Sequence, residues 1–182
     1  MHFSVKQMSE FEPKQVPQDL SDVEIADIAF MRLALKEAES AREIGEVPIG
    51  AVIVHSGEVI ATGHNLRETT QDPTAHAELL AMQRAAKAVG SWRLIDCTAY
   101  VTLEPCPMCA GTMVNSRLSR LVFGARDPKA GAVRSLFQLL EDDRLNHRVQ
   151  VVEDVLTEEC GEILTSFFRG IREGHIKKPG KG

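Results

Sequence analysis

The sequence predicts an α/β protein: a three-layer α/β/α fold built on a five-stranded mixed sheet with helices on both faces. Short apolar, β-branched runs alternate with helical segments through most of the 182 residues, the pattern of strand–helix–strand units and parallel pairing. One pair of runs, 49–54 and 58–62, is separated only by a turn at Ser56-Gly57, which makes that pairing antiparallel. At 43% hydrophobic residues, a chain of this length can bury one core, so residues 21–178 are expected to form a single domain.

Residues 1–20 contain Pro13 and Pro17 and show little periodicity, so a loosely ordered extension is expected there, with a flexible tail over 179–182. Ser21-Asp22-Val23-Glu24 has capping-box form, and Ile28, Met31, Leu35 and Ala38 recur at helical spacing up to about Ile44. Pro48 blocks continuation, and the hairpin follows. Residues 63–73 read as polar loop. Asp72-Pro73-Thr74 reads as the start of a second long helix that ends at Gly90. A strand over 99–103, a helix opened by Pro107 and a strand at 121–123 come next. The long connection 124–147 is expected to hold one short helical piece near 135–140. A strand over 149–152 and a helix capped by Thr157 complete the order. The last helix carries Cys160, Ile163, Leu164, Phe167, Phe168 and Ile171 as one apolar stripe.

No apolar run approaches membrane-spanning length, and the N-terminus lacks a basic-then-apolar signal pattern. A cytoplasmic protein is therefore expected. There, four cysteines read as metal or redox chemistry or as core, not as a disulfide framework. Cys160 falls on the stripe, and Cys97 reads as a half-buried thiol ahead of a strand. Cys106 and Cys109 are the chemically interesting pair. Net charge is −5 but uneven: residues 1–112 balance at −7 and 113–182 at +2. The terminal Arg169, Arg172, Lys177, Lys178 and Lys181 read either as a solvated end or as a footprint for phosphates.

Cys106 and Cys109 lie three apart at a helix start, where thiolates are favoured. They supply half of a tetrahedral zinc site. His76-Ala77-Glu78 opens another helix about 30 residues earlier, and His76 would be the third ligand. Three protein ligands leave a fourth position for water, as in catalytic sites. Glu78 is better placed as a proton-transferring base than as a ligand. A closed structural site completed by His64 or His55, and a redox cysteine pair, are the alternatives.

His76-x-Glu78 with Pro105-Cys106-x-x-Cys109 resembles the signature of zinc nucleobase deaminases of the cytidine/deoxycytidylate deaminase superfamily. The likeness runs from about Ile25 to Lys178. It is densest in residues 47–52, 72–78, 102–106 and 123–127. Stretches 146–149 and 167–169 resemble the bacterial tRNA-specific adenosine deaminase branch. The resemblance implies a cytidine-deaminase-like fold, a homodimer with one zinc per subunit, and no organic cofactor or membrane. It implies hydrolytic conversion of the wobble adenosine to inosine in the anticodon stem-loop of an arginine tRNA. Zinc-bound hydroxide would attack, with Glu78 as proton shuttle and His76, Cys106 and Cys109 as ligands.

By the same resemblance, Asn65 contacts the flipped nucleoside and Ala77 also belongs to the substrate-binding set. Asp127, Lys129, Asn146, His147, Phe168 and Arg172 match the region holding the anticodon loop. Glu104 is a candidate hydrogen-bond acceptor behind the cysteines. Three features depart from the family pattern: the N-terminal extension, Asn115 where histidine is frequent, and Arg134, which adds a charge beside the RNA groove. A deaminase of free guanine or cytosine, or of a nucleoside, and a non-catalytic zinc-stabilised RNA-binding module remain as alternatives.

Overall fold

The computed structural model describes residues 21–176; the extension over 1–20, the tail over 179–182 and Lys177, Lys178 and Lys181 lie outside the described residues. Helix α1 (Asp22–Glu43) opens with the expected capping box: Ser21 Oγ accepts from the Glu24 amide, and Glu24 accepts from the Ser21 amide at 2.8 Å. The hairpin β1 (Gly50–His55) and β2 (Glu58–His64) turns at Ser56-Gly57, both at positive φ. A one-turn helix α2 (Arg67–Thr70) lies within the stretch expected as loop.

Helix α3 is Ala77–Val89 and starts later than Asp72-Pro73-Thr74 suggests. Asp72 closes a local turn instead, accepting from the amide and the hydroxyl of Thr74. His76 keeps extended dihedrals as the residue before the helix, and Gly90 ends it in the left-handed conformation.

Strand β3 (Cys97–Leu103), helix α4 (Pro107–Asn115), strand β4 (Arg120–Ala125), strand β5 (Gln150–Val152) and helix α5 (Thr157–Arg172) follow. Cys97 is fully buried, a correction that follows from β3 beginning two residues earlier than the apolar run. No helix forms near 135–140. Leu136 and Leu139 donate backward to Gly131 and Ala132 carbonyls, so the backbone folds on itself in turns. Thr157 does not cap α5: Leu156 precedes it in the left-handed region, and the Thr157 hydroxyl donates to the Gly124 carbonyl.

The sheet runs β2-β1-β3-β4-β5, with β1 antiparallel to both neighbours and β3, β4 and β5 mutually parallel. Alternate strand residues serve two cores. Val52, Val54, Tyr100 and Val122 pack with α1 and Cys160 on one face. Ala51, Ile53, Ala99, Val101, Leu121 and Phe123 pack with α3 and α4 on the other. Covering both faces makes β1 buried along nearly its whole length. Asp27 of α1, itself buried, receives both Arg120 guanidinium nitrogens at 2.7 and 2.6 Å and the Tyr100 hydroxyl at 2.9 Å. This pins α1 to β3 and β4. Among the described residues, no helix is long and apolar enough to cross a membrane.

Glycines let helix backbones touch the hairpin. A Cβ on Gly50 would lie 2.0 Å from the Ala34 carbonyl oxygen, and one on Gly63 would lie 2.6 Å from that of Ala77. Gly63 therefore sets how closely the start of α3 approaches the sheet. Gly63→Ala is expected to push that start outward, costing about 1–3 kcal/mol as overpacking and weakening metal uptake. Thermal unfolding and zinc titration of the purified variant check both effects.

Candidate active site

Four chain segments meet at one end of the sheet: the entry to β1, and the exits of β2, β3 and β4. The Asn65 amide donates to the Ile49 carbonyl, and the Glu104 amide donates to Ala125. Gly50 donates to the Thr102 hydroxyl. The starts of α3 and α4 sit over this end, each preceded by a residue with extended dihedrals, His76 and Cys106. Pro107 suits the first position of α4, where a missing N–H is no loss.

Those two starts bring three donors together. Cys106 Sγ and Cys109 Sγ lie 3.8 and 3.7 Å from His76 Nδ1 and 3.6 Å from one another. A tetrahedral zinc, with Zn–S about 2.3 Å and Zn–N about 2.0 Å, would space its ligand atoms by about 3.5–3.8 Å. The triangle fits the ion. Among the described residues it is the one such group of three. The alternative fourth ligands are elsewhere: His64 Nδ1 is 2.8 Å from Glu37, and His55 pairs with Glu58 and Cys97 at the far end of β1. Among the described residues three donors and not four come together, so nothing there supports a closed structural site.

Electrostatics agree with geometry. Cys106 is pulled down to about 4, chiefly by donation from Cys109 and also by His76. His76 is raised by its Cys106 partner, so the pair favours thiolate and imidazolium. Cys109 is pushed up by donation to Cys106 and by burial; a bound cation would reverse that. Glu78, one residue into α3, is 4% exposed, and burial raises its carboxyl above the ordinary range. A buried carboxyl that can hold a proton beside a metal site is what proton transfer to substrate needs.

The remaining residues divide. Asn65 is buried, its side-chain amide donating to Glu46 at 3.2 Å and to the Val47 carbonyl at 3.4 Å. Glu46 carries no sequence signal, yet it is fully buried and also accepts from the Thr69 amide at 2.5 Å. It fixes the orientation of Asn65. Ala77 is the first residue of α3, where N–H groups lack intrahelical partners. Asp127 and Lys129 sit just past β4, the Asp127 carboxylate accepting from the Lys129 amide.

Asn146 is exposed, while His147 Nε2 is 2.7 Å from the Leu118 carbonyl and ties the connection to the turn after α4. Phe168 is 44% exposed and leaves the core stripe, which Cys160, Ile163 and Phe167 carry alone as buried residues. Phe168 and Arg172 lie about 16 and 22 Å along α5 from Thr157. Arg134 adds no free charge, because Glu141 and Glu153 pair with it. Glu104 does not accept from the cysteines. Its partners are residues 127–135, across the loop.

Residues 25–172 match the MafB19-like deaminase family. A tRNA-specific adenosine deaminase of Bacillus subtilis (strain 168) is 56% identical over 147 residues, covering 81% of this chain and 91% of that protein. A solved structure from work on A-to-I editing by tRNA:A34 deaminases superposes with a TM-score of 0.72. It is 46% identical and covers 74% of this chain and 98% of its own. A guanine deaminase from Bacillus subtilis has the same fold at 31% identity and TM-score 0.52, covering 79% of this chain and 92% of its own. The chain belongs to the tRNA-specific adenosine deaminases, a group of hydrolytic deaminases with the cytidine-deaminase-like fold.

Proposed function

We propose that this chain deaminates the wobble adenosine of a tRNA anticodon, an arginine tRNA by its family's habit, giving inosine and ammonia. The observation that carries this is the three-donor triangle beside buried Glu78, in a chain this similar to tRNA-specific deaminases. Residues 21–178 act as one domain, working as a homodimer in the cytoplasm.

His76, Cys106 and Cys109 would hold one zinc ion per subunit, which when bound lowers the pKa of a coordinated water toward neutrality. Glu78 does the proton work. Its carboxylate takes a proton as water adds to carbon 6, gives it to the ring nitrogen, then moves the second proton to the departing amine. Asn65, oriented by Glu46, and the Ala77 backbone position the extruded nucleoside. Asp127, Lys129, Asn146, His147, Phe168 and Arg172 are assigned to the anticodon loop and its phosphates; the exposure of Phe168 supports stacking on a base.

The similarity to a guanine deaminase favours a second reading, action on a free base. One assay separates them. Zinc-loaded protein is incubated with an adenosine-wobble anticodon stem-loop, free adenosine, guanine and cytosine, and each product is quantified. Inosine is expected in the RNA alone; turnover of a free base alone would overturn the tRNA reading.

A further inference from the structure

Among the described residues, Glu104 is a buried carboxylate with no cation among its partners. It directly follows β3 and lies two residues before Cys106. One oxygen accepts from the amides of Val133 at 3.0 Å, Arg134 at 2.6 Å and Ser135 at 2.9 Å. The other accepts from the Asp127 amide at 3.0 Å and from the Ser135 hydroxyl. The adjoining Pro105 carbonyl accepts from Ala132 at 2.8 Å. Arg134, whose amide Glu104 binds, turns its guanidinium away to Glu141 and Glu153.

The loop is therefore the solvation shell of this charge. Residues 127–135 wrap the carboxylate closely enough that a Cβ on Gly131 would lie 2.3–2.5 Å from its Cδ and both oxygens. Lifting the loop would strip hydrogen bonds from a buried anion, which is costly. The same loop carries Asp127 and Lys129, whose turn is closed by Asp127 accepting from Lys129 and Ala130. The end of β3 that presents Cys106 and the segment assigned to RNA are thus locked together chiefly through the Glu104 side chain, with the Pro105 carbonyl adding one backbone link.

We propose that Glu104 is a positioning residue that fixes the RNA-contacting loop relative to the metal site, so that gripping the anticodon places its adenine at the cluster. This rests on the tRNA reading above. Fixed offsets of this kind matter because small misplacements of a bound substrate are expensive.

Glu104→Gln is a selective test. The retained oxygen can still accept from residues 133–135, and the Ser135 hydroxyl can rotate to accept from the new amide. Only the Asp127 amide loses its acceptor. Gly131→Ala disturbs the same contact from the loop side with the carboxylate intact.

Steady-state kinetics with the full zinc-loaded chain and an anticodon stem-loop are expected to show KM raised about tenfold in each variant. By the same argument kcat should stay within about threefold and zinc content should hold. The double variant should be no worse than the poorer single one, because both loosen the same loop from the same side chain. Hydrogen exchange should quicken at amides 127 and 133–135 in Gly131→Ala, and at 127 in Glu104→Gln. KM unchanged in both variants, or kcat falling with zinc loss at constant KM, would overturn the proposal. If the wild-type chain fails on RNA, the functional reading fails; unaltered exchange then also overturns the docking role of Glu104.

Discussion

Glu78→Gln is expected to abolish deamination while sparing the fold, the metal and RNA affinity. Gln matches Glu in shape, so the tight packing at the start of α3 is kept and no cavity opens. His76, Cys106 and Cys109 are untouched, and zinc stoichiometry should stay at one per chain. What disappears is the titratable proton. General acid–base catalysis contributes about a hundredfold to ten-thousandfold. In the proposed mechanism one group serves water, ring nitrogen and leaving amine in turn, so the loss is expected at the upper end. Single-turnover inosine formation with saturating stem-loop measures it, and filter binding measures affinity. Retained turnover would remove Glu78 from the mechanism, and lost zinc would make it a structural group.

Asp27→Ala is expected to be the most destabilising single change away from the site. Its carboxylate is 4% exposed and receives a bidentate Arg120 and the Tyr100 hydroxyl. Removing it leaves the half-buried Arg120 cation without its carboxylate and the Tyr100 hydroxyl without its acceptor. Breaking one partner of a buried pair costs about 3–5 kcal/mol, which for a chain of this size lowers the melting midpoint by about 10 °C. Asp27→Asn retains an oxygen for one donor and should fall between. Because α1 covers the face opposite the cluster, zinc affinity should barely change below the transition. Calorimetry with parallel metal analysis separates stability from site damage.

The site was legible where local chemistry and tertiary position coincide. His76 and Cys106 each open a helix behind a sheet element, so motif and spacing announce the same place the backbone builds. Glu46 is the opposite case. It lies in a short link before β1, and only the folding of Asn65 and α2 around it reveals its burial. The helix expected near 135–140 failed because Leu136, Phe137, Leu139 and Leu140 mimic an amphipathic period. In fact Leu136 and Phe137 are exposed and only Leu140 is fully buried. Glu104 was singled out for its neighbours in sequence, whereas its partners lie some thirty residues away across the sheet end. The mixed character of the sheet, by contrast, followed from a hairpin and regular alternation, because backbone pairing obeys connection length.

Strand β5 runs parallel to β4, and that direction has a cost in chain length. Leaving β4 at Ala125, the polypeptide must travel back along the sheet before it can pair again at Gln150. An antiparallel partner is reachable in about two to five residues. The detour over residues 126–149 is thus compulsory, and beyond the Glu104 grip it is anchored by the buried Ala132, Val133, Leu140 and Val149 and by His147, with exposed stretches between these anchors. Grafting it between deaminases, with the grip preserved, would test whether the RNA contacts proposed for Asp127, Lys129, Asn146 and His147 decide which molecule is admitted.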